Sequence, residues 1–417
     1  MSFVTAFRGA RDGFHLPIAL AGAGLLARHV TDFAGLGPGR LSRSLSCLVP
    51  RLGRRTAPAL PPHLLHSMLR IAISERVPAG SWDAEVRRID ANDSRMGREA
   101  LRLALRHDAH LFLYHPYAHE AFAAPQAKER VKLLYQYHPH PEYERRILGD
   151  DRIRSGINFQ MREYSEILPP DRARRWTEAI ALADHVVCPC SVVADSIREA
   201  GGRSIPPMTL VPYGADTSAA WPEPPIERQP LPAKPYALFV GNGIQRKGIH
   251  WLLQAWERSG SLAHDLDLVI VARKMDPILG RHFRLDRPGL RIYQDLPRGT
   301  LNHWVRQAAF LVNPSLLEGF GHVYLEALAC GTPVVGSRSS FLADLDPSEE
   351  IIIWDPAAPE SLPEILEAAA RRYAGRCLDA TGPCRAVQSY TWNMFHQKIV
   401  QTATLAVEHF QIAGSAR

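Results

Sequence analysis

The stretch FLVNPSLLEGFGHVYLEALACGTPVVGS, residues 310–337, holds two apolar strands, a glycine-bearing turn, a helix and two acids in one short unit. Phe310, Leu311 and Val312 stop at Asn313-Pro314, and Val334-Val335 follow Gly331-Thr332-Pro333, so both runs read as buried strands. The pattern between them predicts a helix that begins near Gly321, after a turn that needs the backbone freedom of Gly319 and Gly321, and stops at Gly331. Val323, Tyr324, Leu325, Ala327, Leu328, Ala329 and Cys330 leave that helix no polar stripe, the pattern of a helix buried on most sides. Glu326 is therefore expected to be a buried carboxylate, with no partner one turn away on its own helix. An unpaired buried polar group costs roughly 2 to 7 kcal/mol, so the hydroxyls of a ligand are the expected partners.

Glu318, in the turn before the helix, lies about 8 to 12 Å from Glu326 at the helical rise. That span resembles the distance across the diphosphate of a nucleotide sugar. The amides of residues 319–322 open a helix N-terminus, a place for an anion or for sugar oxygens. Taken singly, Glu318 reads as a surface turn acid and Glu326 as a buried acid paired with a distant Arg. Their pairing in this setting favours a ligand site.

The chain of 417 residues is too long for one ordinary core and predicts two domains or three small ones. With 46% hydrophobic and 22% charged residues it has an ordinary globular composition. The net charge is +6, and only Lys128, Lys132, Lys234, Lys247, Lys274 and Lys398 among the basic residues are lysines. No concentrated basic stripe with interleaved aromatics occurs, so nucleic acid is not an expected partner. The densest basic cluster, Arg40, Arg43, Arg51, Arg54 and Arg55, reads as a solvated face, with contact to anionic lipid as the alternative. Six cysteines, at 47, 188, 190, 330, 377 and 384, lack metal-ligand spacing and read as reduced structural thiols of a cytoplasmic protein. The apolar run 16–27 follows Arg8 and Arg11 as a secretory signal would, but is shorter than the about 20 residues that span a bilayer. It is taken as the first core helix.

In order along the chain, a strand at 3–7 leads through a loop at 9–13 to a helix at 16–29. Helices are expected at 62–74, 94–106, 170–182 and 192–200, and strands at 111–114, 133–137, 185–188 and 210–211. Residues 218–235 contain six prolines and mark an extended linker. The alternation then restarts, with strands at 237–240, 268–272 and 291–294 and helices at 248–258 and 299–308. Residues 391–413 read as one or two terminal helices. The expected division is 1–217, the linker 218–235, 236–390, and a helical tail at 391–417. Two α/β domains joined by one linker predict a ligand cleft at the carboxyl ends of their strands.

Four segments resemble the retaining glycosyltransferases of family 4, which have the GT-B fold of two Rossmann-like domains facing across a cleft. EGFGHVYLE at 318–326 looks like the family's paired-glutamate motif, and VGNGIQRKG at 240–248 like its phosphate-contacting loop. Ala183-Asp184, with the strand and helix that follow, and VPYGAD at 211–216 look like the end of its first domain. The resemblance implies that Glu326 holds ribose hydroxyls, that Glu318 and the amides of Gly319, Phe320 and Gly321 hold the transferred sugar, and that Lys247 holds the diphosphate, with Arg246 beside it. Asn242 stands where the family commonly has Arg, and Arg246 is a candidate replacement. Only Gly13 fits the paired glycines of the family's first loop. His138 sits where the family often places a histidine facing the donor sugar; His115 competes with it, and a structural role at a strand end is the alternative.

The implied reaction is transfer of a sugar from a nucleoside diphosphate sugar to an acceptor hydroxyl with retention. The departing phosphate helps to take the acceptor's proton. The expected partners are the nucleotide sugar and a saccharide or lipid-linked acceptor, in cell-surface polysaccharide or glycolipid synthesis at the cytoplasmic face of the membrane. No cofactor is expected. His115 and His119 have the spacing of a metal pair but no evident third ligand, and Asp265-Leu-Asp267 and Asp344-Leu-Asp346 lie at unsuitable places, so no catalytic metal is expected. Another GT-B activity, a phosphorylase or epimerase, and a catalytically silent binding protein are the rival readings.

Overall fold

The computed structural model describes residues 1–9, 11–33, 59–75, 77–78, 80–200, 202, 204–215, 231–259, 262, 266–294, 296–375 and 384–415. The early arginine cluster, Cys47, Cys377, Asp265, Asp216 and most of the proline-rich linker lie outside these residues.

Seven strands build the first sheet: β1 (Phe3–Ala6), β2 (Leu26–Thr31), β3 (Leu65–Ser67), β4 (His110–Tyr114), β5 (Lys132–Tyr135), β6 (His185–Cys188) and β7 (Met208–Leu210). Six build the second: β8 (Tyr236–Val240), β9 (Asp267–Val271), β10 (Leu290–Tyr293), β11 (Phe310–Asn313), β12 (Val334–Ser337) and β13 (Ile351–Trp354). The orders are β3-β2-β1-β4-β5-β6-β7 and β10-β9-β8-β11-β12-β13, and every pairing is parallel. Runs such as β9, buried at every position, carry no polar alternation because helices cover both faces. Each sheet reverses its winding once, between β1 and β4 and between β8 and β11. The loops leaving those strands are where a doubly wound sheet presents ligands. The architecture is GT-B.

The predicted helix at 16–29 is half strand. The helix ends as His15–Gly22, the chain turns at Ala23-Gly24 with Gly24 at φ +71°, and Leu26–Thr31 enters the sheet. β2 carries a polar residue into the core: His29 is buried, accepts or donates at Nδ1 with Thr5 Oγ1 at 2.8 Å, and burial pushes its imidazole down to about 3. Likewise 62–74 divides into a short turn, β3 and the helix Leu69–Ser74, while the helix expected at 94–106 starts a dozen residues earlier, as Trp82–Arg106. β7 ends at Leu210, so Val211 lies beyond it. The helices Pro141–Ser155 and Leu362–Tyr373 and the strand β13 are additional.

Two segments cross between the domains. The helix Trp392–Ser415 packs on the first helix of the chain, with His15 stacked on Trp392 at 3.6 Å and bonded to His396 Nε2 at 2.9 Å. Gly214 makes that return possible, since a Cβ there would lie 2.3 Å from the Trp392 amide nitrogen. In the other direction, Leu148, Ile157 and Phe159 join the core of the second domain. Asp151, on the helix Pro141–Ser155, accepts from Gln245 Nε2 at 2.8 Å and from Trp251 Nε1 at 2.7 Å, and its Oδ1 lies 3.2 Å from His250 Nε2. The amides of Gln160 and Met161 donate to Asp276 Oδ2. The four cysteines among the described residues are buried thiols. Among the described residues no helix is long and apolar enough to cross a membrane.

Candidate active site

The loop after β8 and the turn after β11 are fixed to one another by backbone contacts. Gly248 sits at φ +63°, and a Cβ there would lie 1.7 Å from the Pro314 carbonyl oxygen, so no larger residue fits. The Leu316 amide donates to the Arg246 carbonyl at 2.8 Å. The Asn313 side chain ties the two strand ends together, donating to Val240 O at 2.8 Å and accepting from Val240 N at 3.2 Å. These contacts bring Arg246, Lys247 and Glu318 together at the point where the second sheet reverses.

Glu318 is buried, at 4% exposure. It receives Lys247 Nζ on Oε1, Arg246 Nη1 on Oε2 at 3.2 Å, and the Ser315 hydroxyl on Oε1 at 2.7 Å. Burial raises the Glu318 carboxyl, but the Lys247 and Arg246 charges outweigh it and hold the group at about 2. Burial, with Arg246 alongside, lowers the Lys247 ammonium, and Glu318 opposes that shift. Arg246 is shared more widely: its Nε donates to Glu163 Oε1 at 2.8 Å and lies 3.6 Å from Glu144 Oε1. Burial pushes the Glu144 carboxyl upward against the pull of Arg246. His138, from the loop after β5, completes the cluster, with Nε2 3.6 Å from the same Glu144 oxygen. His115 instead stacks on Trp176 at 3.8 Å, and His119 Nε2 bonds Glu178 at 2.8 Å.

The glycine turn is pressed against the first domain. A Cβ on Gly319 would lie 2.4 Å from the Tyr137 carbonyl, and the Gly319 carbonyl accepts from the Cys190 thiol at 3.2 Å. Phe320 is a core residue, stacked on Phe341 at 4.4 Å, so its backbone rather than its ring faces the turn. Gly321, at φ +98°, caps the helix His322–Ala329; a Cβ there would meet the Tyr324 ring at 2.6 Å.

Glu326 departs from expectation. It is exposed, on the same side of the helix as exposed His322 and half-buried Val323. The helix therefore has a polar stripe, and burial supplies no reason for Glu326 to need a ligand. Gly13 lies in a run of three left-handed residues, with Asp12 at φ 51°, Gly13 at 56° and Phe14 at 64°. This loop brings Asp12 Oδ1 to 4.0 Å from His322 Nε2, so it reaches the N-terminus of the helix from the opposite domain. Sequence reasoning missed Glu144, Glu163 and Asp12. Glu144 and Glu163 lie in ordinary charged segments, and only Asp12, next to Gly13, carried a local turn signal.

Beyond Arg246 the cluster opens into a cavity of about 350 Å³ walled mainly by the first domain.

Residues 234–371 match the family of glycosyl transferases group 1. The match spans all six strands of the second sheet, together with Arg246, Lys247 and the two glutamates of the motif. The D-inositol 3-phosphate glycosyltransferase of Xylanimonas cellulosilytica is 26% identical over 54% of this chain and 58% of its own. The chain spans about half the length of the curated relatives it matches. Sucrose-phosphate synthase from Thermosynechococcus elongatus superposes with a TM-score of 0.66 at 16% identity, covering 98% of this chain and all of that one. An α,α-trehalose-phosphate synthase (UDP-forming) from Burkholderia xenovorans, in complex with glucose-6-phosphate, superposes with a TM-score of 0.56 at 12% identity, over 96% of this chain and 99% of the other.

Proposed function

We propose that this protein is a retaining glycosyltransferase of family 4 that moves a sugar from a nucleoside diphosphate sugar to an acceptor hydroxyl. The observation that carries the proposal is the convergence of Glu318, Lys247 and Arg246, at the winding reversal of the second sheet, beside a helix N-terminus and facing a cavity in the other domain. In this reading Lys247 and Arg246 stabilise the charge that grows on the leaving diphosphate, aided by the end of the helix His322–Ala329. Both cations rest on Glu318, so the diphosphate shares them with that carboxylate. Glu318 then orients the transferred sugar together with the amides of residues 319–321, and exposed Glu326 takes the ribose hydroxyls. His138 faces the donor sugar, and Gly13 lets the first loop approach the diphosphate. The sequence relatives, which include a D-inositol 3-phosphate glycosyltransferase and an O-antigen chain mannosyltransferase B, support glycosyl transfer as the class of reaction. Acceptors in polysaccharide or glycolipid synthesis at the inner face of the membrane belong to the same proposal.

The test is a panel of UDP-, GDP- and ADP-sugars read by diphosphate release, with the anomeric configuration of the product assigned by NMR. One donor should be turned over with retention, and both Lys247→Ala and Glu318→Gln should abolish transfer. Inversion of configuration, or wild-type rates in either variant, would sink the assignment.

A further inference from the structure

We infer that the cavity of the first domain takes an uncharged, hydroxyl-rich acceptor, a neutral glycosyl or polyol group, and not a phosphorylated sugar. This rests on the proposed transfer reaction, and it concerns the chemistry of the group that receives the sugar.

Among the described residues three arginines line the cavity, and each is already paired. Arg8 bonds Glu75 at 2.5 Å and lies 3.7 Å from Asp93. Arg172 bonds Asp93 Oδ2 at 2.9 Å and also pairs with Asp90. Arg246 is held by Glu163 and Glu318. A phosphate in the cavity would have to share each of these guanidinium groups with a carboxylate that already holds it, whereas a neutral hydroxyl needs none of them.

The atoms left to bind are carboxyl and hydroxyl oxygens. Among the described residues, Asp93 Oδ1, Glu144 Oε1 and Tyr164 Oη are buried and have no hydrogen-bond partner. Asp93 and Glu144 are both 3% exposed, and all three residues line the cavity. Burial raises both carboxyls, that of Asp93 to about 7, and a carboxyl in either state pairs with a hydroxyl, which both donates and accepts. Buried polar atoms of this kind are normally satisfied. The cavity also has a half-buried aromatic wall. Trp176 is fixed by its indole N–H on Gln136 Oε1 at 3.2 Å and by the His115 stack. A flat ring beside acceptor oxygens suits the C–H face and hydroxyl edge of a saccharide.

Saturation-transfer NMR on the full chain with two matched pairs tests the inference: methyl α-D-glucoside against glucose 6-phosphate, and myo-inositol against inositol 3-phosphate. Tyr164→Phe removes a hydroxyl that bonds nothing in the protein, so its fold should be intact; Trp176→Ala removes the ring. At least one neutral probe should bind, with its phosphorylated partner at least about tenfold weaker, and each variant should weaken the neutral probe about tenfold, the scale of one lost hydrogen bond for Tyr164→Phe and of a lost ring contact for Trp176→Ala. Equal or tighter binding of the phosphorylated partners, no binding by any probe, or unchanged binding in both variants would overturn it. Calorimetry with UDP, GDP and ADP on the same proteins reads the donor site separately. Loss of diphosphate binding with sugar binding retained would count against the transferase reading and leave the cavity assignment standing.

Discussion

Glu318 illustrates how much one carboxylate depends on its neighbours. Its folded-state value of about 2 lies below the ordinary 4.5 because Lys247 and Arg246 outweigh the cost of burial. A carboxyl shifted downward contributes stability that is fully present above its unfolded value and is lost as pH falls toward the folded one. At about 1.4 kcal/mol per pH unit, the shift corresponds to about 3 kcal/mol. The urea midpoint of the wild type should therefore fall between pH 4.5 and 2 by more than that of Glu318→Gln, which lacks the titrating group. Equal slopes in the two proteins would show that the pair contributes nothing to acid stability. The same geometry makes Glu318→Ala a poor probe of catalysis, because it strands two buried cations and costs stability as well as activity. Glu326 is the opposite case: its exposure means that Glu326→Gln should leave the denaturation midpoint unchanged.

At the scale of elements, the glycine turn works as a spacer between the domains. Gly319 approaches the Tyr137 carbonyl so closely that a methyl group would sit 2.4 Å from it. Both partners are backbone, so the clash is relieved only by moving the loops apart. Gly319→Ala should leave each sheet folded and separate Glu318 from His138 and Glu144, lowering the transfer rate by about a hundredfold, the usual consequence of a misplacement near 1 Å. Circular dichroism and the assay check the two halves of this expectation. Activity near that of wild type would show that the contact is dispensable.

Over the whole molecule, the domains exchange straps: residues 148–159 dock into the second domain and the helix Trp392–Ser415 returns to the first. Asp151 anchors the forward strap on Gln245, His250 and Trp251, which flank Lys247 in the chain. Asp151→Ala should cost roughly 3 to 5 kcal/mol, because His250 and Trp251 lose a buried charged partner together, while Gln245 keeps the Leu148 carbonyl. Chemical denaturation measures that loss, and a change under 1 kcal/mol, the level of an exposed pair, would refute it.

The sequence by itself determined the two parallel sheets and the partnership of the turn carrying Glu318 with the loop carrying Lys247. Those features rest on short-range signals: apolar runs such as 310–312, the glycines at 248, 319 and 321 where a Cβ has no room, and prolines that stop strands. Position 16–29 misled because Leu16–Ala27 is apolar throughout, and an unbroken apolar run does not distinguish a buried helix from a buried strand. Glu326 misled for a related reason, since its side of the helix faces out although most of its helical neighbours are apolar. Only the tertiary structure decided which cations were already spent on carboxylates. Arg8 and Glu75, Arg172 and Asp93, and Arg246 and Glu163 are each more than sixty residues apart, and partnership at that range follows from packing, which no local pattern records.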